Sequence, residues 1–200
     1  MSNKDRLTRN TRREQRRSEL QRSSRTWNLI LLGSLGVAVV LVVVFLVAMV
    51  TRVNTLPGEV AIADEGRAIV PEGTTLTFRH EPPSSGSHYG VGVESGFAET
   101  PIDPGYYLNN LSRGWVVYLY TCDSDCAEIE AQLREFYKTS ITPDPLYGVR
   151  KAVITRYLGE MSAPVMALAW GNEMPLDSVD GGRLLQWYQR FVNRGPISGP

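Results

Sequence analysis

One stretch of this chain limits every other reading. From Leu29 to Val50 there are 22 residues without a charge, interrupted only by Gly33, Ser34 and Gly36. At about 1.5 Å per residue a helix of that length spans about 33 Å, against a bilayer core of about 30 Å. Hydrocarbon offers backbone groups no partner, so such a run crosses it as a helix. Trp27 stands at the near end, where an indole suits the membrane–water interface, and Arg25 and Arg52 bracket the run. The sequence predicts a single transmembrane helix over residues 27–51, with the lipid bilayer as its first partner. A cleaved signal peptide fits less well. Its apolar core is normally about 7–15 residues, and Ala48-Met49-Val50 is a poor small-x-small cleavage site.

Charge orients that helix. The chain holds 21 Lys plus Arg and 21 Asp plus Glu, but they are not mixed. Residues 1–26 carry nine bases against three acids, and residues 27–200 carry twelve against eighteen. The positive-inside rule puts the basic arm in the cytoplasm and everything after residue 51 outside it. Apart from Leu7 and Leu20 the arm is polar, and it has no aromatic residue to stack on bases. It reads as a topology and anionic-lipid signal, with no nucleic-acid partner expected. A single long apolar run excludes a polytopic transporter. Two cysteines exclude a disulfide-dense mini-protein, and 42% hydrophobic residues exclude a wholly disordered chain.

Beyond the helix, residues 52–69 read as a linker with a turn at Pro57-Gly58, and residues 70–196 as one domain. Thr75 to Arg79 alternates like a short strand. Residues 81–105 hold four prolines and five glycines, which predicts an irregular loop of the length usually reserved for function. Trp115 to Tyr120 is apolar throughout and predicts a central strand covered on both faces. Asp123-Ser124-Asp125 offers helix N-caps, and Ile129, Leu133, Phe136 and Tyr137 share one helix face. Pro143 and Pro145 break the chain. Ala152 to Leu158 and Val165 to Trp170 read as strands, and Gly171-Asn172 turns into another around Met174 to Leu176. Leu184, Leu185, Tyr188 and Phe191 mark a last helix that Gly195-Pro196 stops. The order strand–helix–strand–strand–strand–helix predicts an α+β, mixed-sheet extracytoplasmic domain.

Chemistry-bearing residues are few. Cys122 and Cys126 lie just after the central strand, at the start of a helix, and an extracytoplasmic compartment permits them a disulfide. The alternative is a membrane-tethered thiol–disulfide redox protein. A helix N-terminus favours the thiolate, and the local order resembles a thioredoxin-like fold, with Ala163-Pro164-Val165 before a later strand. The Cys-x-x-x-Cys spacing and the flanking Asp123 and Asp125 count against it, because nearby carboxylates raise a thiol pKa. His80 and His88 are the only histidines, too few for a structural zinc site of about four ligands without both cysteines. A metal site centred on His88 is the third reading, and no cofactor or metal is expected. Ser84, Ser85 and Ser87 beside His88 do not make a triad, and Gly86, Gly90, Gly92 and Gly96 do not make a phosphate loop. No catalytic residue is assigned.

Pro82-Pro83-Ser84-Ser85-Gly86-Ser87-His88-Tyr89 resembles the PPTSGPHY signature of a bacterial family known as domain of unknown function 3105. The order continues with Ile102-Asp103-Pro104, Leu111, Gly114, the strand to Tyr120, the cysteine pair, Ala169-Trp170-Gly171 and Gly195-Pro196. The resemblance covers roughly residues 70–196 and implies a bacterial membrane protein with one N-terminal helix. It singles out Pro82, Pro83, Ser85, Gly86, His88 and Tyr89 as a candidate functional loop. Where the family shows HNLEHG, this chain has Asn109-Asn110-Leu111-Ser112-Arg113-Gly114, so both histidines and the glutamate are replaced. Any metal or acid–base chemistry those residues supply is put in doubt here. The expectation is a non-catalytic binding or assembly subunit of a membrane complex, with a membrane-protein partner. Tyr89, Phe97, Tyr106 and Tyr107 are its candidate interface anchors.

Overall fold

The computed structural model describes residues 35–49 and 55–200. The basic arm and both ends of the apolar run lie outside the described residues. The chain divides into two units, Met1–Thr55 and Leu56–Pro200. In the first, residues 35–49 form helix α1, with every described side chain exposed. No helix among the described residues is long and apolar enough to cross a membrane. Fifteen described residues account for about 22 Å of rise.

The second unit is a mixed α/β domain. Its main sheet runs β1 (Val60–Ala61), β8 (Asn172–Leu176), β7 (Val165–Ala169), β5 (Val116–Tyr120), β6 (Ala152–Arg156), β4 (Gly96–Phe97). β5, β6 and β4 are parallel, while β7 runs antiparallel to β5, β8 to β7 and β1 to β8. A two-stranded parallel ladder joins β2 (Ile69–Val70) to β3 (His88–Tyr89). Three helices cover the main sheet: α2 (Pro104–Ser112), α3 (Ala127–Ser140) and α4 (Gly181–Phe191).

The strand sequences follow from this layering. β5 is central, so both of its faces are buried and it can carry no polar side. Val116, Tyr118 and Tyr120 pack with Leu133, Phe136, Leu184 and Trp187 beneath α3 and α4. Val117 and Leu119 face the other way, onto Tyr107, Leu108 and Leu111 of α2. Of the predicted α3 face, Leu133 and Phe136 are buried and Ile129 and Tyr137 partly so. The fully buried Trp187 completes the predicted α4 face. Both outer helices have side-chain help at their N-termini: Asp125 Oδ1 accepts from Ala127 N at 2.9 Å, and Asp180 Oδ1 from Arg183 N at 3.0 Å. Gly171, at φ +66°, turns β7 into β8.

Three local expectations are corrected. Thr75–Arg79 is not a strand: the N–H groups of Arg79 and His80 go to the Glu65 carboxylate, at 2.9–3.1 Å, instead of to a ladder. Residues 81–105 are largely irregular, as expected, but part of the segment lies inside the domain rather than on its surface. They contain β3, β4 and the start of α2, and Pro82 to Gly86 are buried. Helix α2 was not expected from the sequence. At its start Asp103 Oδ1 accepts from Gly105 N at 2.7 Å, and Pro104 begins the helix. Residues 56–69, placed in the linker by sequence, lie within the second unit, where Val60–Ala61 pairs with β8.

Candidate functional site

Pro82 to Tyr89, the segment singled out by sequence, is a wedge inside the domain. His88 is fully buried. Its Nδ1 donates to Gly86 O at 2.9 Å, which fixes the tautomer, and its ring meets Trp170 edge to face at 5.8 Å. Ser85 Oγ accepts from Glu65 N at 3.0 Å, and Ser84 O accepts from Gly171 N at 3.0 Å. The wedge therefore locks the β7–β8 turn in place. Among the described residues no three His, Cys, Asp or Glu side chains gather where they could hold a metal. His80 is engaged elsewhere, with Nε2 2.6 Å from the largely buried Glu173 carboxylate.

Cys122 and Cys126 form a disulfide, with Cα atoms 5.7 Å apart. Cys126 is buried at the N-cap of α3, and its side chain caps nothing. Asp123, Asp125, Glu128 and Glu130 surround the pair in sequence, and the last two lie in the first helical turn. This negative field opposes the helix N-terminus, which alone would favour a thiolate.

Of the four aromatic residues expected to anchor a partner, Tyr89 and Tyr107 are buried, and Tyr106 and Phe97 are half-buried with contacts inside the domain. Tyr107 is fully buried, and burial holds its hydroxyl well above the ordinary tyrosine range. Tyr89 is buried, stacks edge to face on Tyr106 at 4.8 Å, and donates to Thr74 O at 3.1 Å. Tyr106 donates to Glu72 at 2.8 Å, and Phe97 lies 3.6 Å beneath the Arg134 guanidinium. An aromatic residue cannot be assigned to an interface from its type alone, because cores use the same residues.

The structure instead assembles a site that sequence reasoning did not place. After β3 the chain runs as Gly90-Val91-Gly92-Val93 across α2. Asn109 Nδ2 donates to Tyr89 O at 2.8 Å. Asn110 grips a single residue twice: its Oδ1 accepts from Val93 N at 2.8 Å and its Nδ2 donates to Val93 O at 2.9 Å. A Cβ at Gly92 would sit 2.6 Å from Asn110 Oδ1, so only glycine fits that approach. Between this loop and the end of α2 lies a cavity of about 670 Å³, lined by residues 90–95, Asn109, Asn110, Arg113, Trp115, Val149 and Pro200. The C-terminal tail closes one side. Asn193 N donates to Gly114 O at 2.8 Å and Ile197 N to Ser112 O at 2.9 Å. The buried Lys151 donates to Asn193 Oδ1 at 2.7 Å and to Gly199 O at 2.5 Å. Burial lowers the Lys151 pKa, with the Asp144 carboxylate opposing that shift.

The segments that carried the resemblance are thus packed on one another. The Pro82–Tyr89 wedge meets Trp170-Gly171, Tyr89 meets Asn109, and Gly114 meets the Gly195 turn. The model of a protein family described as a protein of unknown function, DUF3105, matches residues 70–199. The chain belongs to this family. No curated protein and no solved structure matches it. In the segment Asn109–Gly114, Asn110 clamps Val93, Leu111 is core, and Gly114 takes φ +76° against the tail. Ser112 is buried and bonds Asn109 O at 2.7 Å, while Asn109 and Arg113 line the cavity. The signal that could have found this site was the alternation Gly90-x-Gly92 ahead of adjacent asparagines, which is too common a pattern to read unaided.

Proposed function

We propose that this protein is a single-pass membrane protein whose residues 56–200 form a non-catalytic extracytoplasmic binding or assembly module, with the cavity beside α2 as its contact site. The observation that carries this reading is the assignment of roles around that cavity. Ser85, Cys122 and Cys126 are consumed by a hydrogen bond and a disulfide, and His88 is buried with Nδ1 bonded and Nε2 without a partner, while Arg113, Val91 and the glycine loop border open space. Anchoring is supported by α1, whose large apolar side chains are 52–63% exposed in a 15-residue helix. A helix apolar all round belongs in a hydrophobic medium. The disulfide and the basic arm both favour an outward-facing domain at a bacterial cell membrane.

The redox alternative has one observation in its favour. The succession β5–α3–β6–β7–β8–α4, with neighbours β6-β5-β7-β8, supports a thioredoxin-like arrangement. Thr121 N donates to Pro164 O at 2.9 Å, so the cysteine pair lies beside the proline ahead of β7. The acidic surroundings of the pair favour the structural role.

A photoreactive phenylalanine at Val91, 46% exposed, tests the binding reading in native membranes. The expected result is a discrete crosslinked adduct that the same probe at Leu158, exposed and outside the cavity, does not give. Equal labelling at both positions, or none at Val91, would overturn it.

A further inference from the structure

We infer that the turn ahead of β6 docks the domain onto an anionic lipid surface. This goes beyond the cavity reading and rests on other residues. Residues 142–148 are exposed apart from Asp144. At their tip Leu146 is 80% exposed, more than any other large hydrophobic side chain among the described residues, and the 39% exposed Tyr147 lies beside it. Hydrogen bonds hold the tip there. Asp144 N donates to Val149 O at 2.8 Å, Gly148 N donates to Asp144 O at 2.8 Å, and the Asp144 carboxylate takes the N–H groups of Leu146 and Tyr147. A fixed aliphatic tip with a tyrosine at its side has the composition of an interfacial anchor, because tyrosine suits the boundary between headgroups and water.

Charge decides what covers the tip. β5 and β6 are parallel, so the turns that precede them lie at one end of the sheet. Those turns carry Arg113 ahead of β5, and Arg150 and Lys151 ahead of β6. Arg194 joins them: its backbone N is 2.8 Å from where a Cβ on Gly114 would stand. Lys151 is buried, with its ammonium 4.1 Å from the Tyr147 ring centre. Two acids oppose these four bases, Asp144 buried within the turn and Glu94 across the cavity from it. Asp64 and Glu65 follow β1, which stands four strands from β6. That is about 19 Å at the usual strand spacing, beyond the ~8 Å screening length of physiological salt. Residues 56–200 hold eleven bases and eighteen acids, so the rest of the domain carries seven against sixteen. An anionic surface repels most of the domain and attracts this corner, which turns the apolar tip toward it. Leu158 is the contrast. It is 74% exposed but lies past the opposite end of β6, two residues from the exposed Glu160.

The test uses the full chain in nanodiscs of phosphatidylcholine, with and without phosphatidylglycerol, each doped with a lipid that carries a nitroxide near its headgroup. Both native cysteines are held in the disulfide, so a fluorescent dye on Thr142→Cys is the single label and leaves the tip intact. Quenching of that dye is expected in the phosphatidylglycerol discs, with little at a Leu158→Cys label. Molar salt, or discs without phosphatidylglycerol, should reverse most of it. On the Thr142→Cys background, Arg150→Gln and Arg194→Gln should each lower the docked-to-free ratio about fivefold, as loss of one base beside an anionic surface implies. Leu146→Ser should lower it about tenfold, through lost apolar burial. Thermal unfolding of each variant separates lost docking from lost fold. The inference is overturned if the two labels are quenched alike, if neither is quenched, or if Leu146→Ser changes nothing. Protection of the Thr142→Cys dye from aqueous iodide without quenching by the nitroxide lipid also overturns it, and assigns the tip to a protein surface. A chain that does not co-elute with the discs overturns the membrane anchor as well, whereas co-elution with an unquenched label overturns this inference alone.

Discussion

Asp144 shows how much one side chain can hold. Its Oδ1 accepts from Leu146 N at 2.8 Å and Tyr147 N at 3.1 Å, and its Oδ2 from Asn193 Nδ2 at 2.5 Å. Asn193 sits at φ +63°, a left-handed conformation that non-glycine residues seldom adopt and that asparagine tolerates best. The Asn193 hydrogen bond, followed by the backbone donors, lowers the Asp144 pKa from its ordinary 3.8. The unfolded chain therefore binds the proton first as pH falls. Stability from this group is complete above pH 3.8 and is lost as pH drops below it toward the folded value. Asp144→Asn should lower the thermal midpoint by several degrees at neutral pH and flatten the acid limb below pH 3.8. Unfolding curves across that range check both, and an unchanged acid limb would show that other carboxylates dominate. None of this was legible in the sequence, where Asp144 stands between two prolines and looks like a turn residue. His88 makes the complementary point. The residue pattern marked it correctly as special, but a buried histidine donating to its own loop and a ligating histidine look alike until the neighbours are known.

At the scale of elements, legibility follows sequence period. β5, β6, β7 and β8, together with α3 and α4, were readable because each packs as a regular element, with the helices showing a face of period 3.6. β1, β2, β3 and β4 are two residues each, too short for any period, and exist only because the main sheet or the wedge accepts them. α2 was hidden by its polar pair Asn109-Asn110, which is buried to clamp a loop rather than exposed to water. The β5–α3 junction carries a prediction. Its disulfide closes a five-residue loop, so chain-entropy arguments give it about 2 kcal/mol. Replacing both Cys122 and Cys126 with serine should lower the melting midpoint by about 4–8 °C, as expected for a domain of this size. Thiol titration in graded redox buffers should find the pair oxidised down to about −300 mV. A pair poised between about −120 and −270 mV would favour the redox alternative over the structural one.

For the whole molecule the argument turns on compartments. The proposed topology joins two rules: a disulfide persists where thiols are not kept reduced, and a basic segment such as the eight arginines and one lysine ahead of the apolar run favours the cytoplasmic side. The proposal satisfies both with a crossing between them, through the uncharged run from Leu29 to Val50. The disulfide also makes the test clean, because it consumes both cysteines of the chain and leaves no native thiol to react. Single cysteines at Ser2 and at the exposed Ser198 then report each side separately. A membrane-impermeant maleimide should label Ser198→Cys in intact spheroplasts and Ser2→Cys only after lysis. Alkaline carbonate should leave the full chain with the membrane and release a variant lacking residues 27–51. Labelling of Ser2→Cys in intact spheroplasts would reverse the orientation. The binding site would then face the cytoplasm, and the disulfide would have to survive where reduction is the rule.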